Sequence, residues 1–421
     1  MTDRRRFLAW LAASGAVALG GCSFNPLRWG GAKVVVIGGG YGGATAAKYL
    51  KLLDPSLDVT LVDKRNSHLS CPGSNEVLAG WRELESLHRD FRRLRKAYGI
   101  RVLQAEAKSI DGVKRRVTLN SGDRLDYDRL VISPGIDFRW KAIDGYGRAA
   151  ALRAPHAWTA GEQTKLLQKQ LKAMDDGGVV LITAPANPYR CPPGPYERAS
   201  LIAAYLKRYK PRSKVIILDA KTQFSKQKLF LKGWQELYPG MVEWVSAEKE
   251  GQIDHVDVIR RVVQTEFNEH RASVLNIIPP QRAASIASKA GLTDASGWCP
   301  VDPASFASSR VPHIHVIGDA CIATPMPKSA FAANSQAKVC ARAIVEELQE
   351  RDPGPPSLVN HCYSFLAPDY AISITGVYQL ARNGRELAAA ATGETPMDAD
   401  RRQEARFARD WQANIRADTF E

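Results

Sequence analysis

The sequence predicts an α/β fold with two domains of dinucleotide-binding type, the first split by the second, and a C-terminal α+β interface domain. Three observations predict it. Residues 33–63 run strand, glycine turn, helix, strand, acid. The same order of elements returns from Asp176 to Ala220 around a different loop. Two further short strands, one ending in a Pro-Gly turn near Gly135 and one in Gly318-Asp319, lie far apart, the second well beyond the repeat.

Length and composition agree with several packed domains. A chain of 421 residues exceeds what one core supports. With 45% hydrophobic and 24% charged residues it is ordinary for a globular protein, which excludes disorder of the whole chain. The formal net charge of +14 suits an acidic partner or an anionic substrate. Lysines and arginines are scattered and no nucleic-acid motif occurs, so the charge reads as a solvated basic surface or a docking face for an acidic protein, with no nucleic-acid partner.

Residues 1–30 read as an export signal and linker. TDRRRFLAWLAASGAVALGGC joins Arg4, Arg5 and Arg6, then Phe7 and Leu8, to an apolar stretch, the pattern of a twin-arginine signal, and it is short for a membrane span. The expected destination is the periplasm. That route usually carries proteins already folded around a cofactor. Leu19-Gly20-Gly21-Cys22 resembles a lipoprotein cleavage box, in which Cys22 would carry a lipid; a plain signal peptide is the alternative.

The first domain is expected over 31–145. In KVVVIGGGYGGATAAKYLKLL the apolar run 34–37 is a strand, Gly38, Gly40 and Gly43 complete GxGxxG, and small residues follow where helix meets strand. Glycines let the backbone approach a pyrophosphate, and the helix start offers free N–H groups and a positive dipole end. The next strand, DVTLVD, ends in Asp63, placed for the ribose hydroxyls. YDRLVISPGI, with Gly135, and HIHVIGDA resemble the later segments of two-dinucleotide-domain, glutathione-reductase-like flavoproteins. In that group the aspartate of Gly-Asp holds the ribityl chain of FAD, which assigns Gly318 and Asp319 and favours FAD over NAD. The last part of this Rossmann-like domain is expected at 273–350, after an inserted second domain at 146–272.

The second domain should bind NAD(P)H by position, but its loop, ANPYRCPPGPYERAS, has no GxGxxG. Pro192, Pro193 and Pro195 lack the N–H groups a phosphate needs. The fold is kept while the loop serves another purpose. The seven cysteines, Cys22, Cys71, Cys191, Cys299, Cys321, Cys340 and Cys362, include no CxxC or CxxCH, so this chain carries no zinc ribbon and no haem attachment motif.

The chain resembles the flavoprotein subunit of flavocytochrome c sulfide dehydrogenase, a relative of sulfide:quinone reductases, over nearly all of its length after the signal. SNEVLAG, PHAWTAGEQT, RCPPGPYERAS, KVIILDA, NIIPPQRA, AGLTDASGWCPVD, PMPKS and CYSFLAP carry the resemblance, beside the glycine motif. It implies that Cys71, ahead of SNEV, is bonded to the FAD. The following Pro72-Gly73 departs from the family pattern, and an unbonded cysteine beside a noncovalent flavin is the alternative. It also implies a redox disulfide between Cys191 and Cys362 and Glu197 as a nearby base; Lys328, in PMPKS soon after Gly318-Asp319, is expected to stabilise negative charge on reduced flavin. For Glu197 a helix-start carboxylate is the other reading, and for Lys328 a surface lysine.

The activity implied is sulfide oxidation by FAD, with electrons passing to a separate c-type cytochrome and a small inorganic sulfur compound as substrate. The alternatives are a sulfide:quinone reductase and a non-catalytic flavoprotein subunit of a sulfur-oxidising complex. Cys299 reads as buried, and a pair between Cys321 and Cys340 has no support in the sequence. His361 points away from Cys362 if both lie on one strand. The C-terminal domain, 351–421, ends in a charged helix whose Phe407, Trp411 and Ile415 form one apolar stripe, expected to dock on its own domain.

Overall fold

The computed structural model describes residues 31–421; the export signal and Cys22 lie outside the described residues. Lys33–Ile37 is the middle strand of a five-stranded parallel sheet ordered Ile314–Val316, Arg129–Ile132, Lys33–Ile37, Asp58–Asp63, Arg101–Gln104. A parallel sheet is covered on both faces, so its strands are continuous apolar runs such as VVVI rather than alternating ones. The edge strand Ile314–Val316 arrives after the second domain, so the first domain is discontinuous. Helices Tyr41–Leu53 and Ala330–Leu348 lie against each other through alanines, including Ala44, Ala47, Ala333 and Ala337, all buried in one core.

The glycine turn is sterically determined. Gly38 sits at φ +97°, and a Cβ there would come 2.3 Å from Ser133 O. At Gly43 a Cβ would lie 1.8 Å from Gly38 O, so only glycine lets the helix start this close to the strand.

The second sheet is also parallel, ordered Val242–Val245, Lys214–Asp219, Val179–Ala184, Val274–Ile277. Its last strand lies past residue 272, where the sequence reading ended this domain. Val274–Ile277 pairs with Val179–Ala184 along Val180 to Thr183, and this pairing corrects that boundary. A two-stranded ribbon, Ile136–Phe138 with Gln281–Ala283, runs between the two domains.

The C-terminal part is an antiparallel sheet, Ser357–Ala367, Tyr370–Leu380, Leu387–Glu394, followed by helix Arg401–Phe420. Asp400 caps that helix by accepting N–H bonds from Arg402 and Gln403. The helix docks on its own chain, but its buried face differs from the expected stripe. Ala405 and Ala408 pack with Phe365 and Ala371, and Ile415 and Phe420 enter the first core, which leaves Phe407 45% exposed. Small alanines allow the closer approach, so they, rather than Phe407, face the sheet. Asp418 pins the far end: it accepts from Tyr49 Oη at 2.8 Å and Asn334 Nδ2 at 2.8 Å, and pairs with Lys338 at 2.8 Å.

Candidate active site

A cavity of about 1000 Å³ runs from the glycine turn of the first domain to the proline-rich loop of the second. Gly38, Gly40, Asp63, Cys71, Gly135, Gly318 and Asp319 line it, and so do Cys191, Glu197 and Cys362. Sequence positions spread over the whole chain therefore meet around one space. Gly43 does not line it; its role is the close helix–strand approach.

The cavity fits FAD at its glycine end. Helix Tyr41–Leu53 begins at Gly40 with no side-chain cap, leaving its first N–H groups for an anion. Asp63 Oδ2 accepts the Gly39 N–H at 2.7 Å, and Oδ1 that of Arg65 at 2.9 Å, which fixes the carboxylate where it borders the cavity. Asp319 Oδ1 is buried without a hydrogen-bond partner from the chain. A buried acceptor of this kind calls for a ligand donor such as a hydroxyl group. Burial raises the Asp319 pKa, opposed by Arg190 and Lys328. Arg190 lies 3.9 Å from Asp319. Cys71 is partly exposed and borders the same space, in the turn ahead of helix Ser74–Leu78.

The loop after strand Val179–Ala184 aims Cys191 at the other end. Cys191 has φ +58°, a left-handed conformation unusual for a residue with a Cβ. Its N–H donates to Lys328 O at 2.8 Å, and its carbonyl accepts from Gly194 N at 2.8 Å. Arg190 N donates to Gln281 Oε1 at 2.9 Å and Tyr189 Oη to Pro192 O at 2.7 Å. Helix Gly194–Tyr209 then starts with a proline in its first turn, where the missing N–H costs nothing. The prolines stiffen an arm that carries a sulfur.

Cys362 is on the inward face of strand Ser357–Ala367, with Asn360 and Ser364. Burial raises its pKa, opposed by Lys226 and Ser329. Burial also raises that of Cys191, and Cys362 and Glu197 add to the effect. The two sulfurs are thus electrostatic neighbours facing one cavity. Among the described residues Cys71, Cys191, Cys299, Cys321, Cys340 and Cys362 are all unbonded thiols. His361, one residue before Cys362, turns the other way and stacks on Tyr363 at 4.6 Å.

Glu197 opens onto the cavity and is held from both sides. Oε2 accepts from Asn75 Nδ2 at 2.8 Å and Oε1 from Phe365 N at 3.0 Å. Asn75 Oδ1 accepts in turn from Arg198 Nε at 3.1 Å. Desolvation raises the Glu197 pKa against these two bonds.

Lys328 departs from expectation. Its side chain does not border the large cavity; the ammonium donates to Cys321 O at 2.6 Å and lies 4.0 Å over the Trp298 ring. It contributes to the site the carbonyl that holds Cys191 and a positive charge that acts on Asp319. The lysine follows the Gly-Asp turn closely in sequence, and its ammonium is buried behind that turn among Cys321, Asp319 and Cys299, whose charges oppose the lowering of its pKa by burial. Cys299 and Cys321 are register neighbours on two short parallel strands, and both are buried. Sequence reasoning missed Asn75, Arg198, Lys226 and Ser329. Asn75, Arg198 and Ser329 stand inside the quoted motifs SNEVLAG, RCPPGPYERAS and PMPKS, which was the available signal; a lone Lys226 gave none.

Together, the split first domain, the second parallel sheet and the cavity between glycine turn and cysteine arm define a two-dinucleotide-domain flavoprotein. Residues 32–176 match the pyridine nucleotide-disulphide oxidoreductase family. Residues 164–279 match the central region of the sulfide dehydrogenase [flavocytochrome c] flavoprotein chain, and 354–420 the flavin-binding region of flavocytochrome c sulphide dehydrogenase. The chain belongs to this sulfide dehydrogenase flavoprotein family. A flavoprotein chain sequence from Chlorobaculum thiosulfatiphilum is 58% identical over 45 residues, 11% of this chain and 94% of that sequence. The mitochondrial sulfide:quinone oxidoreductase of Mus musculus is 23% identical over 328 residues, 76% of this chain and 72% of that one. The sulfide:quinone oxidoreductase structure from Aquifex aeolicus has the same fold, with TM-score 0.73 and 19% identity over 92% of each chain.

Proposed function

We propose that this chain oxidises hydrosulfide through a redox disulfide between Cys191 and Cys362, beside FAD, and hands the electrons to a separate c-type cytochrome. The observation that carries the reading is one cavity bordered together by the glycine turn, Asp319, both sulfurs and Glu197. Burial suppresses ionisation of both thiols. A disulfide has no charge to bury, so the oxidised pair suits this environment. Hydrosulfide attacks one sulfur of the bridge; the S–S bond breaks, a persulfide forms on one cysteine and the electron pair stays on the other as a thiolate. Glu197 takes the proton of the incoming sulfur, and Arg198 and Asn75 hold it in position. FAD, when bound, supplies the two-electron oxidant that returns the cysteine pair to a disulfide as zero-valent sulfur departs. Gly38, Gly40, Gly135, Gly318, Asp63 and Asp319 would hold it, and Cys71 would tether it through a thioether.

The cytochrome partner is supported by the matched family, whose name includes a cytochrome, and by the chain's charge of +14, which suits an acidic docking partner. Export to the periplasm, with or without a lipid on Cys22, rests on residues 1–30 and belongs to the same proposal. A quinone acceptor is the second reading, favoured by the long match to sulfide:quinone oxidoreductases. Among the described residues no helix is long and apolar enough to cross a membrane, and helix Arg401–Phe420 spends its apolar face on its own core. Steady-state assays of the holoenzyme with sulfide discriminate. Reduction of an added c-type cytochrome with no reduction of a soluble quinone supports the proposal, and the reverse pattern replaces it.

A further inference from the structure

Lys226 is 1% exposed, beside the sulfur end of the cavity. Its ammonium donates to Ser364 Oγ at 2.8 Å and lies 5.7 Å from the Phe230 ring centre. Ser364 and Cys362 share the inward face of one strand, and the next residue, Phe365, gives its N–H to Glu197. One strand thus aligns the sulfur, the lysine's anchor and the carboxylate's anchor.

The backbone fixes the lysine there. Lys226 precedes helix Gln227–Leu237 with φ +61°, and its N–H donates to Glu394 Oε1 at 3.2 Å. A buried ammonium is costly unless an anion faces it, and its Ser364 bond is to a neutral hydroxyl. The groups around it are Cys362, Glu197 from helix Gly194–Tyr209, Cys191 from the arm, and Glu394. Those around Cys362 are Lys226, Ser329 and Glu197, with Cys191 and, across the sheet, Tyr378.

We infer that Lys226 is the buried counter-cation of the sulfur site, holding the anionic sulfur that Cys362 carries once hydrosulfide has opened the bridge. The inference rests on the disulfide reading proposed above. If hydrosulfide attacks Cys191, Cys362 is released with the electron pair of the broken S–S bond, as a thiolate. If it attacks Cys362, that residue carries the new S–S bond and, after Glu197 takes its proton, a persulfide anion. Neither step needs a further oxidant, and in both the negative charge on Cys362 lies beside Lys226. Burial pulls the lysine's pKa down while Cys362 is the largest influence opposing it, consistent with an ammonium that depends on this anion.

The test is the pH dependence of Cys362 alkylation by iodoacetamide in thiol-reduced holoenzyme, read by mass spectrometry. Lys226→Met is expected to raise the midpoint by about 1–3 pH units, while Lys226→Arg, which keeps the charge, stays near wild type. Should the Met variant lose its flavin, Lys226→Gln, which keeps a donor for Ser364 but carries no charge, is expected to move the midpoint the same way. An unchanged midpoint in the flavin-bearing Met variant, or in Lys226→Gln where that variant stands in, overturns the inference. Cys362→Ser separates the two levels. If it still lets sulfide bleach the flavin, the disulfide reading fails. If bleaching is lost but Lys226→Met leaves the midpoint unmoved, only the lysine's role fails.

Discussion

Glutamine at position 197 separates proton transfer from packing. Arg198 donates to Asn75, Asn75 to Glu197 Oε2 and Phe365 N to Oε1, so the chain of bonds runs one way and ends on a double acceptor. Glutamine has one acceptor oxygen and one amino group. If its oxygen keeps the Phe365 N–H, its amino group meets that of Asn75. Flipping Asn75 only moves the mismatch to Arg198. One unmatched buried donor remains, costing about 1–3 kcal/mol of stability. Glu197→Gln with Asn75→Asp reverses the polarity of the middle bond, and this double variant is expected to regain most of the lost melting temperature. Neither variant regains turnover, because removing a positioned base costs about 100- to 10,000-fold in rate. Burial raises the Glu197 pKa, so the carboxyl keeps its proton to a higher pH than an ordinary glutamate. The wild-type rate with sulfide should therefore fall as pH drops through that raised value, and this acid limb should vanish in Glu197→Gln. The assay is kcat/KM for sulfide across pH, beside thermal melting. A Glu197→Gln enzyme within about twofold of wild type, its acid limb intact, would refute the reasoning.

Three further outcomes follow from the geometry. If Cys71 tethers the flavin, denatured wild-type protein keeps its yellow colour and denatured Cys71→Ser releases it; colour released by wild type removes the tether. Gly43→Ala forces a Cβ to 1.8 Å from Gly38 O, backbone against backbone, so flavin per mole of protein and melting temperature should both drop sharply. Full flavin occupancy in that variant would contradict the reading of the turn. Asp418→Ala leaves Tyr49 Oη without its acceptor, takes one of several acceptors from Asn334 and removes the Lys338 partner, loosening the end of helix Arg401–Phe420 at a cost of about 1–2 kcal/mol discounted for partial exposure. Trp411 and Gln412 on that helix border the cavity, so the flavin spectrum should also shift; an unchanged melt and spectrum would argue against the pin.

The first domain was legible because its chemistry is local: strand, Gly38, Gly43, helix and Asp63 follow one another within one stretch of chain. Asp319 was legible through its Gly-Asp turn, and Cys191 and Cys362 through motifs flanking each. Nothing in their spacing brings the two sulfurs to one cavity; that depends on how the C-terminal sheet packs against helix Gly194–Tyr209. The direction of Lys328 was not legible, because sequence proximity to Asp319 says nothing of which way a side chain leaves a turn, and here the ammonium lies over Trp298. Phe407 was misread because an apolar stripe ranks large side chains, whereas this helix buries Ala405 and Ala408 where it meets the sheet. Lys226 carried no motif; only its burial against Ser364 makes it visible.

Anaerobic titration of the flavin absorbance with sulfide, run in parallel on wild type and Cys362→Ser, tests the central claim most directly. The account predicts stoichiometric bleaching in wild type and none at the same sulfide concentrations in the variant, with the flavin spectrum of the untreated variant preserved. Equal bleaching in both proteins, or none in the flavin-loaded wild type, would contradict it.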